Sequence, residues 1–306
     1  MSKKILFMGT PDYATKIFKE ILNSSYEIVG LFTQPDKPIG RKQVITAPHI
    51  KQFCIDNDLD TPIYQPEKLR NNQEAKQQIE ALNPDFIIVA AYGQILPKEI
   101  LNIAPCINLH ASLLPKYRGA SPIQESLLNG DIYTGVTSML MEEGLDSGDI
   151  LGLKYFKIPQ TMEVAELFSE LSELASKLTI ETLDNFEKIS PKVQNETNVS
   201  YCKKIKKEHG EVSFENAEVL YKKYKAYSYW PGVYLKSGLK LKKISLVENY
   251  SSNNAGEILA IEDDGIIIAC QKGCLKIAVL QAPSKKEVSA IEYIRGQRIS
   301  IGSLLT

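Results

Sequence analysis

The chain has 306 residues, 43% hydrophobic and 24% charged, which is too long for one ordinary domain and too apolar for wholesale disorder. Its net charge of −1 hides a division: residues 1–189 carry 18 basic and 25 acidic side chains, and residues 190–306 carry 18 and 12, so a basic module follows an acidic one. Only four apolar residues separate Lys4 from Gly9, the longest apolar run is FIIVAAY at 86–92, and five scattered cysteines lack a histidine cluster, so a signal peptide, a membrane span and a zinc site are all disfavoured and a cytoplasmic protein with reduced thiols is expected.

In chain order, KILFMG reads as a strand, and Thr10 is placed to cap a helix with Pro11 at its first position. Ala14, Ile17, Phe18, Ile21 and Leu22 recur there at helical spacing. YEIVGLFT is a second strand, and residues 48–58 and 71–82 read as helices. DFIIVAAYG is apolar on both faces, as in a parallel sheet covered by helices. CINLH, GVTSMLM and ILGLKYFKI follow as strands, and a long helix occupies 162–186. This alternation predicts an α/β fold with a mostly parallel sheet. Near Ser190 the pattern changes to a polar tract that reads as an extended linker. Beyond it come one helix at 216–226 and five short glycine-punctuated strands, which predict a small β-barrel or sandwich.

Residues two apart on a strand face the same side. Asn108 and His110 therefore project together from the carboxyl end of CINLH, the edge where open parallel sheets bind ligands. An amide donor beside a group that titrates near neutrality suits acyl transfer, which needs an oxyanion held and a proton accepted. The turn MEEGLDSGDIL carries Asp146 and Asp149, either of which is placed to orient His110. Aspartate and glycine are equally ordinary turn residues. The loop TQPDKPIGRK is cationic and suited to phosphates. There is no G-x-S-x-G elbow and no phosphate-binding P-loop. Gly9-Thr10-Pro11 is not a dinucleotide fingerprint, which disfavours a Rossmann dehydrogenase.

NLHASLLPKYRGASPIQ, VAAYGQILP, TQPDKPIGRK and GLDSGDIL together resemble the methionyl-tRNA formyltransferases, within the folate-dependent formyltransferase superfamily. The likeness continues through WPG, GEIL and LQAPSKK near the C-terminus. Ala111 stands where glycine also occurs, and Tyr229 where proline is usual. The resemblance implies a Rossmann-like sheet with helices on both faces, followed by a smaller barrel of the oligonucleotide-binding type. It implies a catalytic domain at 1–189, a linker at 190–204 and a basic tRNA-binding domain at 205–306. The implied reaction moves the formyl group of 10-formyltetrahydrofolate to the α-amino group of methionyl-initiator tRNA, without a metal, in a cytoplasmic monomer. By the resemblance Asn108, His110 and Asp146 are the catalytic set, with Asp146 preferred over Asp149. Ser112, Leu113, Leu114, Pro115, Tyr92, Gly93, Gln94, Ile95, Glu142 and Leu145 would line the folate site. Arg41, Lys42, Lys203, Lys204, Lys206 and Lys207 would meet tRNA. The rival acceptor is a small amine, such as glycinamide ribonucleotide or an amino sugar, which has no need of the basic domain.

Overall fold

The computed structural model describes residues 2–40, 42–247 and 254–306. Two compact units emerge. The first comprises the chain up to Pro122, Tyr133–Lys157 and Phe168–Cys202, and the second comprises Ile123–Ile132, Ile158–Leu167 and Lys203–Thr306.

The elements from the N-terminus to Cys202 run β1 (Lys4–Gly9), α1 (Asp12–Leu22), β2 (Glu27–Phe32), β3 (Lys37–Ile39), β4 (Val44–Thr46), α2 (His49–Asp56), β5 (Ile63–Tyr64), α3 (Gln73–Leu82), β6 (Phe86–Ala90), α4 (Lys98–Leu101), β7 (Cys106–His110), β8 (Arg118–Gly119), α5 (Pro122–Asn129), β9 (Tyr133–Leu140), β10 (Ile150–Lys157), α6 (Val164–Asn185) and β11 (Tyr201–Cys202). The first unit is built on a seven-stranded sheet in the order β10-β9-β7-β6-β1-β2-β5. The pairs from β7 to β5 are parallel, and β9 and β10 join antiparallel. Strand parity decides which helix each residue meets. Leu6, Met8, Ile87 and Val89 share a core with Ala75 and Ile79 of α3 and Ile100 of α4. On the other face Phe7 meets Phe18 of α1 edge to face, their ring centres 5.3 Å apart. Every residue of β6 and β7 is buried, as expected of central strands covered on both sides.

One local expectation is corrected, and one segment is more firmly anchored than its composition suggests. Pro11, not Thr10, is the N-cap of α1, and no side chain caps that end. The Thr10 hydroxyl donates instead to the Tyr92 carbonyl at 3.1 Å, tying the loops after β1 and β6 together. The polar tract after α6 is not a free tether. Lys192 bridges to Ile150, Gln194 is 4% exposed, and β11 pairs in parallel with β8. Its polar side chains find partners within the first unit, a fact that lack of periodicity conceals.

The second unit centres on α7 (Ala217–Tyr227), β12 (Val233–Tyr234), β13 (Lys240–Val247), β14 (Ile258–Glu262), β15 (Gly265–Ala269), β16 (Cys274–Gln281), β17 (Val288–Ser289) and α8 (Ala290–Gly296). Its antiparallel sheet has the order β12-β13-β16-β15-β14, with β17 on β16. The α/β unit followed by a smaller antiparallel β unit is the arrangement the sequence pattern predicts. Asn216 caps α7 by accepting from the amides of Glu218 and Val219. Ser289 and Glu292 form a reciprocal capping box at α8. The Tyr224 hydroxyl donates to Glu163 at 2.8 Å and Lys225 donates to the Gln160 carbonyl at 2.8 Å, which binds the 158–167 segment into this unit. Among the described residues no helix is long and apolar enough to cross a membrane.

Candidate active site

β7 is the last parallel strand, and it carries Asn108 and His110 on one side. His110 is 6% exposed and Asn108 9%. The β9–β10 turn reaches them by an unexpected route. It leaves the sheet beside Cys106, whose carbonyl accepts from the Met141 amide at 2.8 Å, at the end of β7 opposite His110. It then folds back along the strand until Asp146 meets both residues. The Asn108 amide nitrogen donates to Asp146 Oδ1 at 3.5 Å, and His110 Nδ1 lies 3.7 Å from Asp146 Oδ2. The Gly119 amide donates to the same Oδ2 at 2.7 Å. Three groups from two separate stretches of chain, β7 and the Gly119 turn, thus converge on one carboxylate. Asp149 contributes its carbonyl to the Leu140 amide and closes the hairpin.

His110 Nε2 is 2.9 Å from the Tyr117 carbonyl. A carbonyl only accepts, so Nε2 donates to it, which leaves Nδ1 as the ring nitrogen that can exchange a proton. Nδ1 is therefore the proton-accepting atom, and it faces Asp146. Asn108 is oriented by the same logic, because a carboxylate accepts and so turns the amide NH2 toward itself. That nitrogen has two hydrogens, and the contact with Asp146 uses one. With the imidazole side chain 7% and the carboxylate side chain 14% exposed, these charges act in a poorly screened setting.

Two glycines let the segments approach. A Cβ on Gly148 would collide with the Leu140 carbonyl, and one on Gly119, whose φ is +123°, would collide with the Cys202 carbonyl.

The residues expected to line the folate site divide into two sets. Ser112 is fully buried, its hydroxyl donates to the Lys116 carbonyl at 2.6 Å, and its carbonyl accepts from Thr137. The Leu114 amide donates to the Thr137 hydroxyl, and Leu113 lies against Gly135 of β9. Pro115 is half-buried and follows a cis peptide. The Tyr92 ring packs in the sheet core at 1% exposure, while its carbonyl accepts from Thr10 and Gln34. Gln94 bonds the Leu69 amide and the Pro66 carbonyl. The remaining residues face solvent: Gly93, Glu142, Ile95 at 79% and Leu145 at 57%. Lys98, at the start of α4 just after the loop that bears Ile95, pairs at 3.1 Å with Glu143 of the turn that bears Leu145. Ile95 and Leu145 thus leave apolar surface exposed on these two loops.

Lys42 is exposed on the β3–β4 hairpin, and Arg41 lies outside the described residues. Lys203, Lys204, Lys206 and Lys207 are exposed at the start of the second unit's main segment. A polar groove of about 560 Å³ beside α3 and α4, lined by Lys76, Glu80, Glu99 and Asn102 among others, shares no residue with this site. No group of three metal-ligating side chains occurs among the described residues.

Sequence reasoning missed Tyr117, Gly119, Arg118 and Gln194. The first three lie in the turn after the cis proline, where Tyr117 and Gly119 act through backbone atoms and Arg118 through its guanidinium. Gln194 lies in the tract that reads as a linker, and nothing in the sequence marks it.

An amide, an imidazole and a carboxylate on a doubly covered sheet with an appended β unit define the formyl transferase class. The formyl transferase family model matches residues 3–183, and the model of the formyl transferase C-terminal domain matches 204–298. Methionyl-tRNA formyltransferase from a Nitratiruptor species is 54% identical over 299 residues, covering 98% of each chain. That of Sulfurimonas denitrificans is 52% identical over 304 residues, covering 99% of this chain and all of the other. Among solved structures, the sugar 3N-formyl transferase WlaRD superposes with a TM-score of 0.68 at 18% identity, over 94% of this chain and 100% of that one. HypX from Aquifex aeolicus, in complex with tetrahydrofolic acid, gives 0.66 at 18% identity, over 96% of this chain and 47% of that one. At that identity these two establish shared fold alone. The chain belongs to the methionyl-tRNA formyltransferase family.

Proposed function

We infer that this protein transfers the formyl group of 10-formyltetrahydrofolate to the α-amino group of methionyl-initiator tRNA. The observation that carries the reading is the convergence of Asn108, His110 and Asp146 in a chain half identical, end to end, to enzymes of that name. The folate supplies the formyl carbon as electrophile.

His110 Nδ1 takes the proton from the attacking amine, whose ordinary value near 7.7–8.0 leaves it often charged at neutrality. Asp146 stabilises the imidazolium so formed, while the Tyr117 carbonyl holds the ring at Nε2. The second hydrogen of the Asn108 amide meets the oxygen on which charge develops. His110 then returns its proton to the departing nitrogen as the carbon–nitrogen bond to the donor breaks. Ile95 and Leu145 serve as apolar contacts for the pterin ring, with the backbone of their loops supplying polar ones. Lys42 and Arg41 approach the acceptor stem, and Lys203, Lys204, Lys206 and Lys207 meet phosphates. The family's division into a catalytic domain at 1–189, a linker at 190–204 and a tRNA-binding domain at 205–306 is the working description, with action as a monomer in the cytoplasm.

The sugar formyltransferase folds keep a small amine in view as the acceptor. A side-by-side assay decides: formyl transfer from 10-formyltetrahydrofolate to charged initiator tRNA, to glycinamide ribonucleotide and to an amino sugar. Turnover with the charged tRNA alone is expected. Efficient turnover of a small amine, with none on tRNA, overturns the assignment.

A further inference from the structure

We propose that Gln194, held by Arg118, is the positioning residue that keeps Asp146 turned toward His110 and Asn108. The proposal rests on the catalytic reading of Asp146 given above. Asp146 sits at φ +49°, in the left-handed region that residues with a side chain adopt at a cost. Hydrogen bonds to its carbonyls give such a turn an external hold. The Gln194 side-chain nitrogen provides it by donating to the carbonyl of Asp146 at 2.9 Å and to that of Gly148 at 2.8 Å. It grips the turn on both sides of Ser147.

The other end of the amide is fixed as firmly. Nε and Nη2 of Arg118 donate to Gln194 Oε1 at 3.0 and 2.8 Å. The guanidinium only donates and the two carbonyls only accept, so the amide has one possible orientation. Glutamate in its place has no hydrogen for the carbonyls, and lysine has no acceptor for the arginine. A bonded cation also polarises the amide and strengthens its donated bonds. Arg118 is 2% exposed and pairs outward with Glu196 at 2.8 Å. Its neighbour Gly119 supplies the amide that holds the Asp146 carboxylate. Asp146 is therefore fixed at its backbone by Gln194 and at its carboxylate by Gly119, with Arg118 next to one and bonded to the other.

The test is a double-mutant cycle on the full chain, measuring kcat and KM for formyl transfer to charged initiator tRNA. The four proteins are the parent, Gln194→Ala, Asp146→Asn and the double variant, each with its thermal midpoint. Gln194→Ala is expected to lower kcat on the order of 100-fold, the scale of an ångström-sized misplacement of a reacting group, with little change in either KM. In the Asp146→Asn background the same substitution should cost nothing further, since its effect runs through that carboxylate. Gln194→Glu keeps the volume and removes the donor, and it replaces the alanine variant in the cycle if that protein does not fold. Parent-like kcat in a folded Gln194 variant overturns the proposal, as do losses that multiply in the double variant, the mark of a merely structural role. Full activity in Asp146→Asn alone is a different result, and it removes the catalytic assignment on which the brace depends.

Discussion

At the residue scale, His110 spends one ring nitrogen on the Tyr117 carbonyl and turns the other to Asp146. The pairing of Asn108 with His110 is legible in the sequence because strand parity is a strict two-residue period. The partner carboxylate is not. Asp146 and Asp149 both fit a turn, and choosing between them requires knowing that the loop doubles back along β7. Tyr92 illustrates the opposite limit. The family resemblance implies a ligand wall there, but the ring enters the core, and its hydroxyl has no hydrogen-bond partner among the described residues. Burial drives that phenol's ionisation far above its ordinary value. An unpaired buried hydroxyl costs about 1–3 kcal/mol, so Tyr92→Phe should stabilise the protein by about 1 kcal/mol without altering turnover. Thermal melting checks this, and a lower midpoint in the variant would mean that the hydroxyl has a partner.

At the element scale, the β3–β4 hairpin is held at its base by a compact ion cluster. Lys51 donates to both Asp36 oxygens at 2.9 and 2.8 Å and to Gln65 at 2.7 Å, and Gln65 donates to Asp36 at 2.7 Å. The hydrogen bond from Lys51, then that from Gln65, hold the Asp36 carboxyl below the usual carboxylate range. A depressed value means the cluster's contribution is complete above the unfolded value of about 3.9 and is lost as pH falls through the folded one. Asp36→Asn should therefore speed hydrogen exchange in the β3 and β4 amides at neutral pH, whereas the parent loosens only in acid, below about pH 4. Equal exchange in the two proteins at pH 7 would show that the cluster holds nothing. Strands β1, β2, β6, β7, β9 and β10 and helices α1, α2, α3 and α6 are legible because central β6 is apolar throughout and α1 keeps a helical period, whereas the short β3, β4, β5, β8, α4 and α5 are not. The segment around Gln194 is not, because buried polar side chains that bond to distant carbonyls leave no periodic trace.

At the scale of the whole molecule, the charge division in the sequence corresponds to the two family domains matched in turn along the chain. If Lys203, Lys204, Lys206 and Lys207 meet phosphates, tRNA affinity should fall steeply with salt through counterion release. Replacing one of these lysines by alanine should reduce the logarithmic salt slope by about one. Nitrocellulose binding at several ionic strengths measures both, and a flat response would place tRNA elsewhere. The central claim is that His110 moves the proton in formyl transfer. Its most direct measurement is single-turnover formylation of charged initiator tRNA by the parent and by His110→Ala, with tRNA affinity followed in parallel. The rate should fall about 100- to 10,000-fold while affinity is unchanged. A rate close to that of the parent, in a variant that still binds tRNA, would contradict it.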